Sequence, residues 1–125
     1  MSISASDPVG SALHSALDGL AYRQRVTADN IANVDTPGFT ASTVDFEDSL
    51  RGALADGTMS PGEGLPTTSL STAQAGANGN NVDLGAETLT AMQATFSYQL
   101  LTRAVGDRYG LISTAIGGMW WPSST

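Results

Sequence analysis

The chain has 125 residues, enough for one domain of modest core. Its formal charge is −7 and its 5 cations are all arginines, which argues against a binder of nucleic-acid phosphates or of anionic lipid. It has no cysteine, so disulfides, thiol catalysis and cysteine-ligated metal sites are excluded.

The opening stretch, Met1-Ser2-Ile3-Ser4-Ala5-Ser6-Asp7-Pro8, has no basic region and no continuous apolar run, so it does not read as a signal peptide. No run in the chain approaches the ~20 apolar residues needed to cross a bilayer. Pro8 fits the first turn of a helix with Asp7 as N-cap, where its missing N–H would be unpaired anyway. From there Leu13, Leu17, Leu20, Gln24, Thr27, Ile31 and Val34 advance by alternating fours and threes. That is a seam of coiled-coil spacing, with Gln24 and Thr27 as polar interruptions. The predicted helix, 8–34, is roughly 40 Å long at 1.5 Å per residue. Such a helix cannot bury itself against a compact core in so short a chain. It needs a partner helix.

The helix runs into Ala28-Asp29-Asn30-Ile31-Ala32-Asn33-Val34-Asp35-Thr36-Pro37-Gly38-Phe39. Pro37 presets φ for the second position of a turn, and Gly38 can take the positive φ that a type II turn needs at the third. Thr36, as the residue before proline, is pushed out of the helical region. Asn30 and Asn33 lie three apart near the helix end, where their amides could bond freed carbonyls or the returning chain. Taken alone, the string is a helix stop.

Residues 39–45 alternate weakly and read as a short extended piece. Asp45 then caps a predicted short helix, with Asp48 supporting its start and Phe46, Leu50 and Leu54 facing inward. From Gly57 to Asn81 the composition is mainly Gly, Ser, Thr, Pro, Asn and Ala, with Met59, Leu65 and Leu70 the only large apolar residues and one charge, Glu63, and reads as flexible. Asn81 or Asp83 caps a second long helix, 83–117, which Gly117-Gly118 stops before a tail, 118–125. In that tail, Trp120-Trp121-Pro122 makes a weak case for an interfacial anchor and a better one for a local contact. The second helix has two apolar faces. Leu89, Met92, Phe96 and Leu100 share one, and Tyr98, Leu101, Val105, Tyr109, Ile112 and Ile116 fall nearly opposite. A two-helix hairpin needs only one, so other subunits must cover the second. Gly106 and Gly110, each costing roughly 1 kcal/mol against alanine, suggest close helix approach or bending.

Chemistry has few candidates. His14 is the only histidine and has no obvious nucleophile to serve. Asp45, Glu47 and Asp48 are explained as acids at a helix start better than as a cation site. Residues 76–84 match a nonapeptide calcium repeat imperfectly, and once, leaving a small secreted calcium-binding or interaction module as the alternative function. No glycine run carries the lysine of a phosphate-cradling loop. No catalytic residue, cofactor, metal ion, nucleic acid or small-molecule substrate is expected.

Asn30, Asn33, Thr36, Pro37, Gly38 and Phe39 resemble the N-terminal signature of flagellar axial (rod and hook) proteins, roughly Ala-Asn-x-x-Asn-x-x-Thr-Pro-Gly-aromatic. Thr40 stands where a basic residue often follows. Thr43-Val44-Asp45-Phe46-Glu47 and Asn78-Gly79-Asn80-Asn81-Val82-Asp83-Leu84 resemble two later segments of proximal-rod proteins, and their order and the chain length fit the flagellar basal-body rod proteins of the FlgB type. The resemblance implies a mainly α fold. An antiparallel pair of long N- and C-terminal helices, coiled-coil-like, is joined by a turn, short helix and flexible loop (35–82). It implies a structural subunit of the proximal rod, in the periplasmic space, exported without a cleaved signal peptide. Its implied partners are copies of itself, other rod proteins, the membrane-proximal rod adaptor and the flagellar type III export apparatus. Packing is assigned to Leu13, Leu17, Leu20 and Ile31 on the first helix, and to both apolar faces of the second.

Overall fold

The computed structural model describes residues 8–56 and 64–120, with the side chains of Pro8, Ile112 and 115–120 outside that description. The expected Asp7 cap, the 57–63 part of the loop, the Ile112 and Ile116 packing positions and the tryptophan side chains therefore lie outside the described residues. Helix α1 is Pro8–Ala32, strand β1 is Ser42–Asp45, helix α2 is Glu47–Ala55, strand β2 is Thr67–Leu70 and helix α3 is Leu84–Trp120. The protein is mainly helical, with one small antiparallel sheet among the described residues.

The two long helices pack on each other. The start of α3 lies beside the end of α1, where the Asn80 side chain reaches the Asn33 and Thr36 carbonyls. Further along, the Gln24 side chain of α1 donates to Thr95 Oγ1 of α3 at 3.1 Å. The helices therefore run in opposite directions. The side of α1 that is buried is not centred on the leucine seam. Ala12, Ala16, Gly19, Leu20, Thr27 and Asn30 are buried, while Leu13, Leu17 and Ile31 flank the contact half-covered. Small residues win the centre because they let other elements approach the α1 backbone closely. Thr27, expected as an interruption, is 3% exposed, and Gln24 is satisfied across the interface.

The core is Ala16, Leu20, Val44, Phe46 and Ala94, with Tyr22, Val26, Leu50, Tyr98 and Leu101 packed around it. Phe46 lies flat over Gly19, where an added Cβ would sit 2.6 Å from its ring. β1 carries Val44 into this core and Phe46 follows at the strand's end, while β2 pairs with β1 from Ser42↔Leu70 to Asp45↔Thr67.

Several boundaries differ from the sequence expectation. Thr67–Leu70, expected to be flexible, is a strand, because β1 offers an edge that its threonine-rich sequence can pair with. α2 begins after Phe46, not after an Asp45 cap, and Phe46 makes no side-chain cap bond. In α2 Ala53 is buried and Leu54 is turned outward. Asp83 caps α3, its Oδ1 accepting from the Ala86 N–H at 3.1 Å. α3 continues through Gly117-Gly118 to Trp120, since glycine lowers helix propensity without forbidding the conformation. At Gly106 and Gly110 an added Cβ would meet nothing within 4 Å, so neither serves close packing among the described residues.

Candidate functional site

Two features are built by the residues singled out in the sequence: a junction of amides at one end of the molecule, and the outer face of α3.

The junction starts at Asn30, which is 1% exposed. Its amide donates to the Ser42 carbonyl at 2.8 Å, and its Oδ1 accepts from the Ser42 N–H at 3.0 Å. One side chain thereby does for the outer edge of β1 what a third strand would do. Asn33 donates from its amide to the Asp29 carbonyl at 2.8 Å and accepts from the Thr36 hydroxyl at 3.1 Å. Those bonds close the last helical turn. The Phe39 N–H then donates to the Thr36 carbonyl at 3.2 Å, with Pro37 and Gly38 between them and Gly38 at φ 74°. That is the predicted type II arrangement of proline then positive-φ glycine.

The returning chain locks onto this turn. Asn80 Nδ2 donates to both the Asn33 and Thr36 carbonyls at 2.8 Å. The Gly38 N–H donates to the Asn78 carbonyl at 2.9 Å, and the Asn81 N–H to the Phe39 carbonyl at 3.2 Å. Asn81 Oδ1 accepts from the Ala41 N–H at 2.7 Å, while its Nδ2 reaches the carbonyls of Ser71 and Ala73. The second asparagine cluster thus binds the first. Sequence reasoning placed Asn81 as a candidate helix cap and missed Asn80 as the clamp. The signal was the density of amides at 78–81, facing a turn whose carbonyls needed donors. The same bonds account for residues 76–84 without calcium. The Oδ1 atoms of Asn78, Asn80, Asn81 and Asp83 all accept main-chain N–H groups. Among the described residues, no group of three or more His, Asp or Glu is placed to hold a metal ion.

A second clamp was not foreseen. Arg23, two helical turns before Asn30, makes a bidentate ion pair with Glu47, both contacts at 2.7 Å, and donates to the Val44 carbonyl at 2.6 Å. Its guanidinium carbon lies 4.9 Å from the Phe46 ring centroid. The Arg23 hydrogen bonds hold the Glu47 carboxyl below the usual carboxylate range, and Glu47 in turn raises Arg23. A recess of about 380 Å³ beside them is lined by Leu20, Arg23, Glu47, Thr90, Gln93, Ala94 and Ser97. Its two charged groups are spent on each other, which leaves no free acid or base there. His14 is exposed on α1.

α3 covers its two apolar sets unequally. Tyr98 and Leu101 pack on the core, and Val105 is half-buried on the same side. Leu89, Met92, Phe96 and Leu100 face away from α1, with Phe96 62% exposed. Tyr109 belongs to the inward set by spacing yet is 42% exposed.

Comparison with known proteins gives this geometry a context. A family profile described as "Flagella basal body rod protein" matches residues 12–40, which span most of α1 and the turn. The flagellar basal body rod protein FlgB of Borreliella burgdorferi is 32% identical over 123 residues, covering 82% of this chain and 91% of that protein. FlgB of Bacillus subtilis is 29% identical over 122 residues, 85% of this chain and 91% of that one. FlgB of Salmonella typhimurium is 28% identical, covering 82% and 89%. On that likeness over nearly the full length of its relatives, the chain belongs to the FlgB family of flagellar basal body rod proteins, and it is a structural protein, not an enzyme.

Proposed function

We propose that the chain is a structural subunit of the proximal rod, assembled by helix packing into the drive shaft that transmits torque in the basal body. The observation that carries this reading is the outer face of α3. Leu89, Met92, Phe96 and Leu100 are each more than half exposed, and residues 88–102 contain no charged side chain. Covering a large apolar side chain is worth roughly 1.5–3 kcal/mol, so this stripe strongly favours a neighbour. In a chain of net charge −7, an uncharged stretch is also where like copies approach with least repulsion. The neighbours are copies of this chain, other rod proteins and the membrane-proximal rod adaptor. The type III export apparatus delivers the subunit to the periplasmic rod without cleaving a signal peptide.

Two substitutions test it. Phe96→Asp should leave the free subunit within about 0.5 kcal/mol of its original stability, because the site is already in water. It should nevertheless abolish rod recovery and motility. Leu101→Asp should cost about 2 kcal/mol or more in the free subunit and lower hydrogen-exchange protection of the α1–α3 pair. Normal rods from Phe96→Asp would show that this face stays in solvent.

A further inference from the structure

Asn78 precedes Gly79, and no other asparagine in the chain precedes a glycine. Asn30, Asn33, Asn80 and Asn81 are followed by Ile31, Val34, Asn81 and Val82, whose side chains crowd the main-chain nitrogen. Glycine leaves that nitrogen open to close on the preceding side chain. Gly79 is also fixed by packing. It sits at φ 79°, and an added Cβ would lie 3.2 Å from Gly38 Cα. The junction thus demands the very residue that makes Asn78 labile.

We propose that Asn78 is a spontaneous deamidation site that the closed junction holds shut. In the reaction the Gly79 main-chain nitrogen attacks Asn78 Cγ and loses its proton. The bond from Cγ to the side-chain nitrogen breaks, and ammonia leaves carrying that proton. Water then opens the resulting imide at either carbonyl, giving aspartate or isoaspartate. No electrons are exchanged.

The closed junction opposes each part of this. The Gly79 N–H is donated to the Gly76 carbonyl at 2.9 Å. Asn78 Oδ1 is held by the Asn80 N–H at 3.1 Å, and the Asn78 carbonyl by the Gly38 N–H at 2.9 Å. Ring closure must break the Gly79 bond and turn the Asn78 amide away from Asn80. Its rate therefore follows the population of the opened junction. Isoaspartate adds a carbon to the main chain between Asn78 Cα and the carbonyl that leads to Gly79. The loop can then no longer bond Gly38 in register, so a transient opening becomes a lasting one.

The test incubates the full chain at mildly alkaline pH in buffer, across a urea series and as the Asn80→Ala variant, with peptide mass spectrometry at residue 78. Conversion should be at least about tenfold slower in buffer than in high urea, equivalent to about 1.4 kcal/mol of opening. Through the urea series it should track the loss of helix by circular dichroism. Asn80→Ala should react faster than the unaltered chain in buffer, and Asn78→Gln should not react at this position. The proposal is overturned by equal rates in buffer and urea, by no conversion in urea, or by Asn80→Ala reacting as slowly as the unaltered chain. If Asn80→Ala does not fold, the buffer-to-urea comparison on the unaltered chain decides alone.

Discussion

Glu47 shows how much one side chain can organise here and how little energy that requires. Its carboxylate meets both Arg23 nitrogens at 2.7 Å, and the same guanidinium ties down the Val44 carbonyl and covers Phe46. Half of the Glu47 side chain is in solvent, so the pair contributes at most about 1 kcal/mol. The sign of its pH dependence is definite. A carboxyl whose folded pKa is depressed stabilises the fold above its unfolded value, near 4.3, and loses that contribution as pH falls toward the folded value. Arg23 shifts upward from an ordinary value already far above this window, so its own contribution is constant through it. Acid titration followed by circular dichroism should show stability falling below about pH 4.3, and Glu47→Gln should flatten that fall. An identical acid profile in the variant would remove Arg23–Glu47 from the stability of the β1–α2 corner. Asn30 differs in kind. It is buried, and its loss would leave both main-chain polar groups of Ser42 without partners.

Among the elements, the decisive contact is α1 against the corner between β1 and α2. Gly19 interrupts α1 at a cost of roughly 1 kcal/mol against alanine, judged by helix propensity alone. Its place is set by Phe46, whose ring occupies the space a Cβ would need at 2.6 Å. Gly19→Ala should therefore destabilise despite the propensity gain, since overpacking costs typically about 1–3 kcal/mol. Phe46→Leu in the same chain should recover part of the loss, and chemical denaturation of the two variants beside the unaltered chain reads it directly. A more stable single variant would mean the ring moves aside freely. Such a contact is illegible in sequence, where Gly19 and Phe46 are unrelated positions. What was legible was local. The helix stop at Thr36-Pro37-Gly38 and the two faces of α3 follow from backbone sterics and from a period of 3.6 residues. The strand at 67–70 was hidden because Thr67-Thr68-Ser69-Leu70 gains its identity from β1, some 25 residues earlier, and its own side chains stay exposed. The junction was half legible, since both asparagine clusters stood out but their mutual bonds span more than 40 residues.

At the scale of the whole molecule, the chain is a mismatched pair of helices. α1 has 25 residues and α3 has 37, and with Gln24 level with Thr95, equal rise puts Pro8 level with about residue 111. The last turns of α3 therefore run past the first described turn of α1. One end is locked by amides, the middle is cored by Leu20, Phe46 and Ala94, and the uncharged outer face of α3 is left open. That asymmetry suits a subunit completed by its neighbours. The chain has no cysteine, so a single Met92→Cys substitution places one thiol at the centre of the open face, where Met92 is 64% exposed. Its rate of maleimide labelling, compared between the free subunit and isolated basal bodies, tests the central claim directly. Rapid labelling of the free subunit and strong protection in assembled rods is the predicted result. Equal labelling in the two states would show that the Leu89–Leu100 face is not where the subunit meets its neighbours.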